Sequence, residues 1–238
     1  MHRSNGTVAA APDKPNMLLL AHRGLHAQHP ENTLDAFAAA LDCGADGVET
    51  DVRLTRDGHA VLVHDRVAPA GMAAAPRVVA ELTRAELEQA LGHPVPLLAE
   101  ALAAYPDAYW NVEIKTPDAL AETVRIVKQF CDRARLLLSS FRHDVVARCA
   151  ELLDVDCGLL LAHRPLEVGA LVSGFAHLPR VRTLVWDYNV LDEVMVWEAN
   201  AAGWASFAYG AVTAAEHAYC ARLELAGLIT DFPDRARR

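Results

Sequence analysis

His22, Arg23, Glu49, Asp51, His64, Glu113 and Lys115 supply two imidazoles, three carboxylates and two cations, in that order along the first half of the chain. Such a set can hold one divalent metal, bind a phosphate and move protons on either side of it. Glu49, Asp51 and Glu113 offer oxygen ligands, which hard cations such as Mg²⁺ and Ca²⁺ prefer. Glu49 and Asp51 stand at i and i+2 in an apolar run, and Glu113 stands between Val112 and Ile114. Two carboxylates on one face of a strand repel each other unless a cation lies between them. An imidazole titrating at about 6.5 can take or give a proton near neutral pH, which makes His22 and His64 the candidate acid and base. The planar fork of Arg23 and the compact charge of Lys115 suit phosphoryl oxygens. The other nine histidines, His26, His29, His59 and His93 among them, have no comparable company and read as surface or structural.

These residues need a frame that gathers strand ends. Eight short β-like runs, at residues 17–21, 48–52, 109–114, 136–139, 158–161, 183–186, 205–208 and 228–230, alternate with helical stretches. That alternation predicts parallel strands joined by helical crossovers, and eight units predict a closed α/β barrel. The first helix is the clearest: Asn32 or Thr33 can cap it, Leu34, Phe37, Ala38 and Leu41 line one face, and Gly44 can end it. Further helices are expected at residues 83–91, 97–104, 119–131, 144–152, 191–202 and 213–226. Several of the chemically capable residues close an apolar run, where a parallel barrel keeps its chemistry.

One stretch departs from the alternation. Asp57-Gly58 between two apolar runs is a hairpin signal. A two-residue loop would set Asp51 opposite His64, on the face shared with Glu49; a loop one residue longer would turn His64 away. Residues 66–96, rich in Ala, Pro and Val, read as a short excursion over the top of the barrel.

The chain has 238 residues, enough for one barrel, and 53% are hydrophobic, enough for a large core. A net charge of -9 argues against general affinity for nucleic acid. Five dispersed cysteines with no CxxC spacing point to reduced thiols. No run is long enough to span a bilayer or serve as a signal peptide, so the expected location is cytoplasmic, with no stable membrane insertion. Residues 1–16 read as a flexible N-terminal segment and 17–238 as one domain.

The stretches His22-Arg23-Gly24, Pro30-Glu31-Asn32-Thr33, Gly44 through Val52, Thr55-Arg56-Asp57-Gly58 and Val63-His64-Asp65 closely resemble the glycerophosphodiester phosphodiesterase family. The resemblance continues through Asn111 to Lys115, Ser139-Ser140-Phe141 and Gly227 to Pro233. It implies a TIM (β/α)8 barrel and hydrolysis of glycerophosphodiesters to glycerol 3-phosphate and an alcohol such as choline or ethanolamine. It further implies one divalent cation, Mg²⁺ or Ca²⁺, on Glu49, Asp51 and Glu113, with His22 and His64 as the acid–base pair and Arg23 and Lys115 at the phosphate. Members of the family also tend to carry Trp-Thr-Val-Asn on the seventh strand, where this chain has Tyr209-Gly210-Ala211-Val212; Tyr209 could wall the substrate or pack between strand and helix. Two alternatives stand beside this reading. One is a related phosphodiesterase of the same barrel acting on lysophospholipids; the other is an inactive relative that binds metal or phosphate.

Overall fold

The computed structural model describes residues 17–69 and 75–236. Residues 1–16, expected to form a flexible segment, lie outside that range. Eight parallel strands close into a barrel: β1 (Leu18–His22), β2 (Gly47–Leu54), β6 (Tyr109–Ile114), β7 (Arg135–Ser140), β8 (Asp156–Leu161), β9 (Val181–Asp187), β10 (Ala205–Tyr209) and β11 (Gly227–Thr230). Seven of the eight apolar runs lie within one of these strands, and the first, 17–21, begins one residue before β1. β1 pairs with both β2 and β11, which seals the barrel. β3 (Ala60–Leu62) adds to β2 as an antiparallel arm, and β4 (Val67–Ala68) pairs with β5 (Arg77–Val78) in a separate small hairpin.

Helices fill the crossovers: α1 (Leu34–Asp42), α2 (Arg84–Leu91), α3 (Leu98–Ala104), α4 (Leu120–Val127), α5 (His143–Leu152), α6 (Val168–Ser173), α7 (Glu193–Ala201), α8 (Ala214–Arg222) and α9 (Pro233–Ala236). Thr33 caps α1 by accepting from the Ala36 N–H, and Phe37 and Ala40 are fully buried beneath it. α4 is shorter than the expected 119–131, and α6 was not anticipated: its six residues include Gly169 and carry too little periodicity to announce a helix.

Side chains alternate across each strand. On one side they pack against the helices in a large core that includes Val48, Val52, Trp110, Val112, Leu138, Leu159 and Trp186. On the other they fill the barrel, where Leu20, Leu137, Leu160, Val185, Phe207 and Ile229 form a closed apolar layer. The same parity carried one step toward the strand ends gives His22, Glu49, Asp51 and Glu113. An apolar floor under a polar mouth is therefore written into the period of two.

Gly47 shows how close the strands come. A Cβ there would lie 1.9 Å from the Tyr109 carbonyl oxygen of the neighbouring β6. Gly47→Ala must push β2 and β6 apart beneath the site, and should cost about 3 kcal/mol by the scale of overpacked cores. That corresponds to a fall of about 6–12 °C in Tm for a chain of this size. An unchanged denaturant midpoint would contradict the tight register described here.

The hairpin differs from expectation by one residue. Val52 pairs with Leu62, Arg53 with Val61 and Leu54 with Ala60, so the loop is Arg56-Asp57-Gly58. A two-residue loop of the favoured type needs positive φ at both central residues; here Gly58 has φ +82° and Asp57 does not. The Gly58 N–H instead donates to the Thr55 carbonyl, a three-residue turn closed by a left-handed glycine. The described residues of the 66–96 segment pack mostly on this arm, with Ala68, Val79, Leu82, Leu87 and Val95 burying Val61 and Val63.

Candidate active site

The site lies at the C-terminal ends of the strands. The parallel register sets His22 beside Glu49 and Asp51 beside Glu113. His22 ends β1, and the Arg23 N–H donates to the Glu49 carbonyl at 2.9 Å. Glu49, Asp51 and Glu113 are all buried, and their carboxylate oxygens lie within 4.8 Å of one another. Lys115 Nζ is 2.7 Å from Glu113 Oε1 and 3.2 Å from Asp51 Oδ1; Arg23 Nε is 3.2 Å from Asp51 Oδ2.

Among the described residues, Arg23 and Asn32 are the only non-glycines with positive φ, both at +56°. Both serve Asp51. Asn32 Nδ2 donates to Asp51 Oδ2 at 2.9 Å, while its Oδ1 accepts from the Thr50 hydroxyl at 2.6 Å. The Asn32 N–H also donates to the Arg23 carbonyl, so the two strained turns hold each other. Backbone in this region costs of order 1–3 kcal/mol per residue and persists only where surrounding contacts impose it. Asn32 was read as a possible cap of α1; Thr33 takes that role and Asn32 orients a carboxylate instead.

Burial and the neighbouring charges of Asp51 and Glu113 push the Glu49 carboxyl well above its ordinary range. Burial also raises Glu113, against the pull of Lys115. Burial works on Asp51 in the same sense, but Lys115, Arg23 and the Asn32 amide together hold it below the usual value. The trio is thus crowded with negative charge that the two cations only partly offset. Glu49 Oε2 is buried and accepts no hydrogen bond, and buried Asp51 Oδ1 meets the Lys115 ammonium at 3.2 Å.

His64 reaches the site by a route the ladder does not explain. The three-residue loop places Val63, not His64, opposite Asp51, and the Val63 N–H donates to the Asp51 carbonyl. Pairing then stops. Arg53 Nε and Nη2 donate to the His64 carbonyl at 2.9 and 2.6 Å, and the freed backbone turns its imidazole into the cavity. His64 Nδ1 lies 2.9 Å from Asp65 Oδ1.

All seven residues except Asp51 line one cavity of about 180 Å³, and Asp51 lies directly behind it. Phe141, Leu160, Tyr209 and Ile229 form its apolar side. The Tyr209 and Phe141 rings meet edge to face at 6.1 Å, so Tyr209 walls the cavity and packs at once. Burial raises the Tyr209 phenol, which keeps its proton.

Two residues were missed. Asp231 Oδ1 is 2.5 Å from His22 Nδ1, and His26 Nε2 is 3.0 Å from the same oxygen. His26 is therefore not an unaccompanied surface histidine. The inward parity of β11 runs through Gly227 and Ile229 to Asp231, a signal present in the sequence; nothing local marks His26.

A sequence model of the Glycerophosphoryl diester phosphodiesterase family matches residues 22–235. The chain belongs to that family. A glycerophosphodiester phosphodiesterase from Caldanaerobacter subterraneus is 34% identical over 143 residues, 53% of this chain and 58% of the relative. Matches of this kind span 53–62% of the relatives' own length. Among solved structures, a glycerophosphodiester phosphodiesterase from Thermotoga maritima superposes with TM-score 0.80 at 27% identity, covering 92% of this chain and 96% of that one. An Oleispira antarctica phosphodiesterase in complex with the product sn-glycerol-3-phosphate gives TM-score 0.80 at 25% identity, covering 92% and 95%. The family's fold, a TIM barrel, is the one described above. No helix among the described residues is long and apolar enough to cross a membrane.

Proposed function

We propose that this chain hydrolyses glycerophosphodiesters to sn-glycerol 3-phosphate and an alcohol, using one divalent cation and the histidine pair. The observation that carries the reading is one cavity in which two imidazoles and two cations meet a buried carboxylate trio.

The donor set fits a divalent cation. Three carboxylates converge, Glu49 Oε2 is buried without a hydrogen bond, and Glu49 is under strong pressure to hold a proton. Glu49, Asp51 and Glu113 would hold a hard ion, with Mg²⁺ and Ca²⁺ both compatible with an all-oxygen set. When bound, the ion supplies Lewis acidity and neutralises charge on the phosphoryl oxygens. The charge count supports the same conclusion. With all three carboxylates ionised, as ligands of a cation must be, Arg23 and Lys115 leave one net negative charge, which would repel an anionic diester. A divalent ion turns that into one net positive charge, which matches a phosphodiester monoanion.

Arg23 and Lys115 border the cavity and are placed to draw the non-bridging oxygens and stabilise them as charge builds. One histidine removes a proton from the nucleophile, either water or the neighbouring glycerol hydroxyl. The other delivers a proton to the departing alkoxide. The apolar side formed by Phe141, Leu160 and Tyr209 excludes water and receives the carbon skeleton.

The test is release of glycerol 3-phosphate from glycerophosphocholine with Mg²⁺ or Ca²⁺, and again after EDTA. Release is expected with at least one metal, falling about 100-fold or more on chelation and returning when metal is restored. No release with either metal would overturn the substrate assignment.

A further inference from the structure

Nothing in the reaction above uses Asp231, yet it is the closest polar partner of His22. Its Oδ1 accepts from His22 Nδ1 at 2.5 Å and from His26 Nε2 at 3.0 Å, from a half-buried position where its side chain is 35% exposed. An ionised carboxylate only accepts, so the proton on each facing nitrogen is fixed: His22 carries one on Nδ1 and His26 one on Nε2. The bond from His22, with that from His26, holds the Asp231 carboxyl well below the ordinary range against the effect of burial. With Nδ1 engaged, Nε2 of His22 is turned toward the cavity, 3.8 Å from Glu49 Oε2.

We infer that Asp231 is a positioning residue: it fixes the tautomer and ring orientation of His22 so that Nε2 meets the substrate, and His26 clamps the Asp231 carboxylate in place. The inference rests on the reading that His22 moves a proton during hydrolysis. Without Asp231 the imidazole is free to turn about its Cβ–Cγ bond and to carry its proton on Nε2, leaving no lone pair facing the reacting atoms. The same three side chains could be read as ligands of a second ion, since their ligand atoms lie within 4.8 Å of one another. The 2.5 Å contact between His22 and Asp231 argues otherwise. It is a direct hydrogen bond, whereas two ligands on one tetrahedral ion, each about 2.0–2.2 Å from it, stand farther apart. His64 has an Asp partner too, but Asp65 is its chain neighbour and is 78% exposed, so the hold on that ring is weaker.

The test uses the full chain and two readouts. Asp231→Asn keeps the shape and removes the charge. It should lower kcat by about 100-fold or more, with KM changed little, as expected when an imidazole that moves a proton is left in the wrong tautomer. His26→Gln keeps a donor where Nε2 stood and should stay within about threefold of wild type, whereas His26→Ala should lose about tenfold, the scale for removing an orienting hydrogen bond. Independently of turnover, long-range ¹H–¹⁵N spectra of the wild type, recorded where the imidazole is neutral, should show His22 Nδ1 protonated and Nε2 bare. In Asp231→Asn that pattern should invert or average. Near-wild-type kcat in Asp231→Asn, or a wild-type His22 bearing its proton on Nε2, would overturn the inference; so would Zn²⁺ titration showing a second ion that His26→Ala abolishes. If Asp231→Asn does not fold, the wild-type spectrum still decides. A wild type that releases no glycerol 3-phosphate while showing the expected tautomer would instead remove the hydrolytic reading and leave the His22–Asp231 geometry standing.

Discussion

His22→Ala and His64→Ala should each lower kcat for glycerophosphodiester hydrolysis by about three orders of magnitude, with KM and the thermal midpoint changed far less. Positioned general acids and bases contribute about 10²–10⁴-fold each. Both rings line the same cavity, and each offers one nitrogen to it while the other faces a carboxylate. Neither belongs to the apolar core: the His22 side chain is 28% exposed and that of His64 33%. Truncation removes a hydrogen bond and little packing, which separates the catalytic effect from the structural one. The two should not multiply. A pair that serves two halves of one reaction loses most of its effect with the first member, so the double variant should be only slightly worse than the worse single one. Turnover within tenfold of wild type in either single variant would sink the assignment of the pair.

Glu49→Gln should have opposite effects on stability with and without metal, and should bring turnover to background. Glu49 is buried, and its carboxyl is raised by burial and by Asp51 and Glu113. A group whose folded pKa lies above its unfolded value binds more protons when folded, so stability falls as pH rises from the ordinary carboxylate range through the raised value. Glu113 acts in the same direction. Asp51 and Asp231 act oppositely: their values are lowered, and the stability they contribute is lost as pH falls through those lowered values. Above the ordinary carboxylate range, where the lowered groups already contribute in full, the metal-free wild type should therefore lose stability as pH rises toward neutral, and Glu49→Gln should remove much of that loss. Near neutrality the metal-free variant should melt above the metal-free wild type, by about 2–4 °C for each kcal/mol relieved. Added Mg²⁺ or Ca²⁺ should raise the wild-type midpoint and leave the variant almost unmoved, because a ligand stabilises only the state that binds it. A metal-free variant that melts lower than wild type, or one stabilised by metal to the same extent, would refute the electrostatic account.

What the sequence disclosed and what it withheld follow from the range of the forces involved. Strand parity is local, so Glu49 and Asp51 could be placed on one face and the apolar runs matched to barrel strands without coordinates. The hairpin register could not, because Asp57-Gly58 is compatible with loops of two or three residues and the choice depends on whether Asp57 takes positive φ. His64 reached the cavity although the pairing argument for it failed; the Arg53 guanidinium, gripping the His64 carbonyl, replaces the ladder. The role of Asn32 and the pairing of Asp231 with His22 were out of reach for another reason. Asn32 reads as one more helix cap until its left-handed backbone and its bond to Asp51 are seen. Asp231 is 209 residues from His22, and only barrel closure makes them neighbours.

That closure has a consequence for timing. A nascent chain that has emerged through β10 already contains both histidines, all three carboxylates and both cations, yet β1 still lacks its neighbour on one side and His22 has nothing to brace it. Turnover should accordingly be the last property acquired during refolding, trailing the return of helical signal and tracking the zipping of β11 onto β1. On the proposed activity, a chain still being synthesised would carry all seven of these side chains before it could turn over substrate.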